Sequence, residues 1–171
     1  MFISEFLNDH QKQDVFKEVE EYISSIVHIS QKDMSRPWGG FLVIEEADAE
    51  RFINEFFPNL SKEELSISGK LSPKILLVEP GKKLSWQYHH RRAEIWKLIS
   101  GRAGVVKSDD DQEKDLLILA PGDLVELKKG ERHRLIGLDK WGIIAEIWQH
   151  TDADNPSDEE DIVRLQDDFG R

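Results

Sequence analysis

The sequence contains no cysteine. That excludes a disulfide framework, a thiolate nucleophile and any zinc site built on sulfur, so a metal would have to be held by imidazole, carboxylate or amide oxygen. Positive charge is also scarce. Lys and Arg number 23 against 34 Asp and Glu, a net charge of −11, which removes the broad basic footprint of a nucleic-acid-binding protein. No apolar run approaches the ~20 residues of a membrane helix. The opening residues, MFISEFLNDHQKQD, lack the basic and long apolar regions of a secretory signal. A cytoplasmic protein with neither nucleic acid nor membrane as partner is the resulting expectation.

What is present suits one globular domain: 171 residues, 39% hydrophobic and 33% charged. The acidity is uneven. Residues 152–171 hold eight acids against Arg164 and Arg171, so the remainder is only mildly acidic and can hold a local cationic pocket.

Val15/Phe16, Val19, Tyr22/Ile23 and Ile26/Val27 recur at helical spacing and predict an amphipathic helix over about 11–28. Its apolar stripe must pack on the main domain or on a second subunit, and a homodimer is expected from it. Ala47, Phe52, Ile53, Phe56 and Phe57 predict a second helix within 47–60, ended by Pro58 and Asn59. Short apolar or alternating runs follow at 41–44, 75–78, 84–88, 95–99, 103–107, 116–119, 124–127, 134–136 and 142–148. Turn signals such as Pro80-Gly81, Ser100-Gly101, Pro121-Gly122 and Asp139-Lys140 separate them, a pattern of all-β sandwich or barrel. Ser157 followed by Glu160 has the spacing of a capping box and predicts a short helix over 158–168. The expected organisation is a helical extension over 1–35 and a single β domain over 36–171, with a helical insertion near 47–60.

The chemistry concentrates in the strand LSWQYHH. Alternation puts Ser85, Gln87 and His89 on one face and Trp86, Tyr88 and His90 on the other. Glu94 follows across a short turn, and His133 begins a later strand. Paired antiparallel strands can bring Gln87, His89, Glu94 and His133 around one point. One amide oxygen, two imidazoles and one carboxylate suit Zn²⁺, Fe²⁺, Mn²⁺, Co²⁺ or Ni²⁺ and leave positions open for water or ligand.

This spacing resembles a known family. Gln87-x-His89-x4-Glu94-x6-Gly101 is similar to the first cupin motif, with Gln in place of the first His. Gly122-x5-Lys128-x-Gly130-x2-His133 is similar to the second, with Lys128 where a proline is usual. The Gln-His-Glu-His set resembles the zinc site of phosphomannose isomerases. The likeness to the isomerase domain of the type II enzymes extends to Arg36-Pro37-Trp38-Gly39, Arg92-Ala93-Glu94 and the tail from Asp161 to Arg171. It implies a cupin fold, an all-β jelly-roll barrel (double-stranded β-helix) with N-terminal helices and a short C-terminal helix.

The resemblance further implies one divalent metal, zinc first, and isomerisation of mannose 6-phosphate and fructose 6-phosphate through an enediolate. Lys74, or Glu146 in the run AEIW, would move the proton. Arg92, Arg134, Arg164 and Arg171 are the candidates to hold the phosphate, with Ser85 and Trp96 lining the cavity. Two departures stand out. The family's run of three histidines is His89-His90-Arg91 here, and the nucleotidyltransferase domain that often accompanies this one has no counterpart, so guanylyl transfer to mannose 1-phosphate is not expected. The rival readings are an isomerase of another sugar phosphate such as a heptose phosphate, another cupin enzyme acting on a sugar, and a metal-stabilised sugar-binding or regulatory module without turnover.

Overall fold

The computed structural model describes residues 9–170. Helix α1 (Lys12–Ser24) leads into strands β1 (Ile29–Arg36) and β2 (Gly39–Ile44), followed by a 3-10 turn and helices α2 (Ala49–Phe56) and α3 (Lys62–Leu65). Seven strands complete the chain: β3 (Lys74–Val78), β4 (Trp86–Tyr88), β5 (Arg92–Ser108), β6 (Leu117–Leu119), β7 (Leu124–Leu127), β8 (Arg132–His150) and β9 (Val163–Gln166).

The pairings between these strands are antiparallel, and β5 and β8 organise them. The second half of β8 pairs with β3 and with the start of β5, extending one sheet to β2 and β1 on one side and β7 on the other. The first half of β8 pairs with β4 and with the end of β5, which carries the chain to β9 and β6. The crossover between the halves falls where Gly101 faces Gly142. Gly101 has φ +79°, and a Cβ there would lie 1.8 Å from the Trp141 carbonyl oxygen, so no other residue fits this bend.

Strand parity divides the core in two. Ile75 and Leu77 of β3, Ile143, Ala145 and Ile147 of β8 and Ile95 of β5 face outward into one apolar cluster with Val15, Phe16, Val19 and Ile23 of α1 and Phe52, Ile53 and Phe56 of α2. The alternate residues Leu76, Val78, Ile144, Trp96 and Leu98 face inward with Val105, Val125 and Leu135. Helices therefore cover the outer face, and β3 is buried at all five positions, which is why KILLV reads as a continuous apolar run. The stripe of α1 is covered within the chain, so it is not the face for a second copy that sequence alone left open. The exposed large apolar side chains lie elsewhere, chiefly Leu116, Leu117, Ile118 and Leu124 near β6 and β7.

Three expectations need correction. The first helix ends at Ser24, and residues 29–36, assigned from sequence to a helical extension, form a strand paired with β2. The runs at 95–99 and 103–107, and those at 134–136 and 142–148, are continuous strands, because register shifts absorb the bend without breaking the ladder. The segment 158–168 is not a helix. Ser157 Oγ donates to Asp161 Oδ2 (2.6 Å), while that carboxylate also accepts from the His90 and Arg91 backbone N–H groups (both 2.9 Å). These bonds hold Asp161 against the strand pair, and the chain continues as β9, antiparallel to β4. Among the described residues no helix is long and apolar enough to cross a membrane.

Candidate metal centre

Four side chains meet at the inward end of this barrel. Gln87 on β4 is directly opposite His133 on β8, His89 follows the end of β4, and Glu94 enters from β5. All four are buried: Gln87 6%, His89 3%, Glu94 3% and His133 2% exposed. One ligand atom each from His89, Glu94 and His133 falls within 4.8 Å of the others, so this group can hold a metal ion.

Hydrogen bonding fixes which imidazole nitrogen faces inward. His89 Nδ1 lies 2.7 Å from the Asp161 carbonyl oxygen, and His133 Nδ1 lies 2.9 Å from that of Glu131. A carbonyl only accepts, so both rings carry a proton on Nδ1 and turn Nε2 toward the centre, the orientation of metal-ligating histidines. His133 Nε2 then stands 3.1 Å from Glu94 Oε1 and has no hydrogen-bond partner; His89 Nε2 is 3.7 Å from the same oxygen. A lone pair on His133 Nε2 facing the carboxylate at 3.1 Å repels it unless a cation lies between them, whereas His89 Nε2 is also 3.2 Å from an Arg92 guanidinium nitrogen. Bonds of ~2.0–2.2 Å to one ion would produce donor separations of about this size. The donor set fits a divalent ion.

Charge around the centre supports the same state. Burial, and the Arg92 charge, depress the His89 pKa to about 3, keeping the ring neutral. Burial opposes ionisation of Glu94, but the adjacent Arg92 charge outweighs it and holds its pKa well below the usual carboxylate range. Arg92 Nε contacts Glu94 Oε2 at 3.1 Å, which leaves Oε1 to the centre. Its other nitrogens donate to Ser157 Oγ (2.8 Å), the Asp158 carbonyl (3.0 Å) and His89 Nε2 (3.2 Å), and its guanidinium stacks 3.6 Å over Trp148.

Beyond the ligand group, Glu146 receives the indole N–H of Trp96 at 2.8 Å and of Trp148 at 2.9 Å. Burial, then the nearby Glu94 charge, push its pKa up to about 8, so it is a protonated acid at neutral pH. Lys74 is its register partner across β3 and β8; its Nζ lies 3.6 Å over the Trp148 ring and pairs with Glu159. Ser85 is buried on the same wall, and its Oγ has no hydrogen-bond partner among the described residues. A cavity of ≈ 80 Å³ opens between these groups.

The expected residues do not all arrive. Gln87, His89, Glu94, His133, Lys74, Glu146, Ser85, Trp96 and Arg92 line the cavity, and Arg164 reaches its mouth from β9. Arg134 does not. Lying next to His133 on a strand, it faces the opposite way, where it donates to the Leu84 carbonyl (2.9 Å) and meets Glu113 and Asp168. Arg92 is present but held by protein groups on every side, not left for a phosphate. Arg171 lies outside the described residues. Sequence reading missed Arg36, Phe41 and Glu159, which line the mouth, and Asp161, whose carbonyl orients His89 from 72 positions away. Glu159 was taken as part of a solvated helix face.

Residues 50–167 match the protein family described as mannose-6-phosphate isomerase C-terminal. The xanthan biosynthesis protein XanB of Xanthomonas campestris pv. campestris (strain B100) is 26% identical over 166 residues, covering 93% of this chain and 29% of that protein. A mannose-1-phosphate guanylyltransferase of Escherichia coli (strain K12) is 27% identical over 161 residues, 93% of this chain and 28% of that one. The alginate biosynthesis protein AlgA of Pseudomonas aeruginosa is 32% identical over 111 residues, 65% of this chain and 21% of that one. The chain thus spans under a third of these relatives.

Among solved structures, a Lactobacillus farciminis oxalate decarboxylase is similar with a TM-score of 0.52 and 18% identity, over 82% of this chain and 34% of that one. Tomato (Solanum lycopersicum) vicilin is similar with a TM-score of 0.53 and 16% identity, over 84% of this chain and 35% of that one. At such identities the likeness concerns the fold alone, which is a cupin.

The relatives correct the expected activity. They are named for guanylyl transfer or for polysaccharide biosynthesis, not for isomerisation. The expected interconversion of mannose 6-phosphate and fructose 6-phosphate, and the assignment of the chain as a phosphosugar isomerase, do not hold against those names.

Proposed function

The chain belongs to the mannose-6-phosphate isomerase C-terminal family, and on that premise we propose that it is a metal-centred cupin that binds a phosphorylated sugar of the mannose series. The observation that carries the reading is the convergence of His89, Glu94 and His133, all buried, with one ligand atom each within 4.8 Å of the others and His133 Nε2 without a hydrogen-bond partner among the described residues. The ligand class is supported by relatives named mannose-1-phosphate guanylyltransferase.

His89, Glu94 and His133 would hold the ion, with the Gln87 amide oxygen as fourth donor, and zinc is the best match to this nitrogen and oxygen set. A bound divalent ion supplies Lewis-acid polarisation of sugar oxygens. The protein's own groups do the rest. Arg92 keeps Glu94 ionised and aimed, and the carbonyls of Asp161 and Glu131 keep both imidazoles in the binding tautomer. Glu146, fixed by two indoles and with its pKa pushed upward by burial, offers a hydrogen bond to a sugar hydroxyl on the Trp96 side. Ser85 Oγ offers a further donor and acceptor at the cavity wall, and Trp148 excludes water beneath Lys74.

Calorimetric titration tests this reading. Zinc-loaded protein is expected to bind mannose 1-phosphate or mannose 6-phosphate, and protein stripped with a chelator is expected to lose that binding. Equal binding by stripped protein, or none by loaded protein, would contradict it.

A further inference from the structure

We propose that Lys74, flanked by Arg36 and Arg164, is the subsite for a phosphate monoester, and that Glu159 is its built-in competitor, a carboxylate latch that the phosphate displaces. The inference rests on the sugar-phosphate reading above for the identity of the ligand, but not for the subsite itself.

The pairing is lopsided. The Lys74 side chain is 7% exposed, whereas that of Glu159 is 58% exposed and reaches in from 85 positions later in the chain. A buried ammonium requires a counter-charge, so an anion belongs at this position whether or not a ligand is bound. Glu146, the acid opposite Lys74 on β8, is instead held by the indole N–H groups of Trp96 and Trp148.

A second cation lines the same mouth. Lys74 Nζ lies 5.3 Å from the centre of the Phe41 ring and Arg36 Cζ lies 5.4 Å from it. Arg36 is tethered there by Asp33 at 3.2 Å. Arg164 stands opposite Gln87 in the β4–β9 pair and lines the same mouth. Three cations lining one mouth suit a dianionic phosphate better than a single monoanion.

The segment bearing Glu159 is pinned on both sides of it. Arg92 holds Ser157 and the Asp158 carbonyl, and Asp161 is held by the His90 and Arg91 N–H groups. The one side-chain tie of Glu159 among the described residues is to Lys74. Glu159 can therefore swing out while its neighbours stay in place. It also needs to. A cavity of ≈ 80 Å³ holds about three waters at ~30 Å³ each, well short of a phosphorylated hexose. Displacing Glu159 opens the cavity onto the groove shared by Arg36, Phe41 and Glu159.

The test uses the full chain and inorganic phosphate as probe, with binding followed by ³¹P NMR. An ion pair with one exposed partner closes the site most of the time, and apparent affinity falls with the open fraction, so Glu159→Gln is expected to bind phosphate about fivefold more tightly than wild type. Adding Lys74→Met is expected to abolish the gain. Should that variant fail to fold, Glu159→Gln/Arg36→Gln supplies the same comparison with a partial loss. Unchanged or weaker phosphate binding by Glu159→Gln would overturn the latch, as would a gain that survives Lys74→Met. Mannose 6-phosphate titrated in parallel separates the two proposals. Tighter phosphate binding with no preference for the sugar ester keeps the subsite and removes the mannose ligand. Sugar-phosphate binding indifferent to Glu159→Gln does the reverse.

Discussion

Replacing Arg92 by Met separates a structural arginine from one that serves the ligand. The substitution keeps an apolar stem against Trp148 but removes the guanidinium that contacts Glu94 at 3.1 Å, Ser157 at 2.8 Å and the Asp158 carbonyl at 3.0 Å. Glu94 is 3% exposed, so without its partner a carboxylate is left buried in a metal-free protein. Breaking one side of a buried pair costs about 3–5 kcal/mol, which for a domain of this size lowers Tm by about 6–20 °C. Metal should recover part of that loss, because an ion at His89, Glu94 and His133 supplies the missing positive charge; at a hundredfold excess over Kd the recovery approaches ~2.7 kcal/mol. Differential scanning calorimetry with chelator and then with zinc reads both quantities. An Arg92→Met protein with wild-type Tm in chelator would refute the reasoning and return Arg92 to the role of an uncommitted phosphate contact.

Other outcomes follow from the same structure. Gln87→His is expected to keep or tighten the metal, since an imidazole replaces a weak neutral amide donor; loss of metal from this variant would count against Gln87 as a ligand. His150 is fully buried, and burial depresses its pKa to about 4 from the ~6.5 of an exposed histidine. The unfolded chain therefore binds the extra proton first, so stability should fall as pH drops from about 6.5 to about 4 and level off below. Urea unfolding of wild type and His150→Gln across that range isolates the effect, and parallel curves would contradict it. Phe52, fully buried between α1, α2 and the outer sheet face, should cost about 3–5 kcal/mol when truncated to Ala; a loss below ~1 kcal/mol would mean the helices do not close the core.

How much of this was legible in the sequence depended on the range of the physics involved. Alternation along LSWQYHH was enough to place Gln87 and His89 on one inward face, and the short turn to Glu94 kept that residue close to them. The same rule, applied one residue past His133, would have turned Arg134 away from the cavity. The long strands β5 and β8 were hidden because Ser100-Gly101 and Asp139-Lys140 have turn composition. In the fold, Gly101 instead allows two backbones to approach within a continuous ladder. The tail was misread for a different reason. Ser157 and Glu160 have capping spacing, but Ser157 and Asp161 are bonded to Arg92 and to the backbone of residues 90 and 91, far away in sequence. No local pattern announces that competition. Glu159 was missed with it, since an acid on a supposed helix face has no reason to meet a buried lysine.

Metal content per chain, measured by inductively coupled plasma mass spectrometry after dialysis, addresses the central claim most directly. Wild-type protein supplied with zinc is expected to retain one ion per chain, and the Glu94→Gln/His133→Ala protein, checked as folded by circular dichroism, none. A wild type that retains no ion, or a double variant that retains it undiminished, would contradict a metal held by His89, Glu94 and His133.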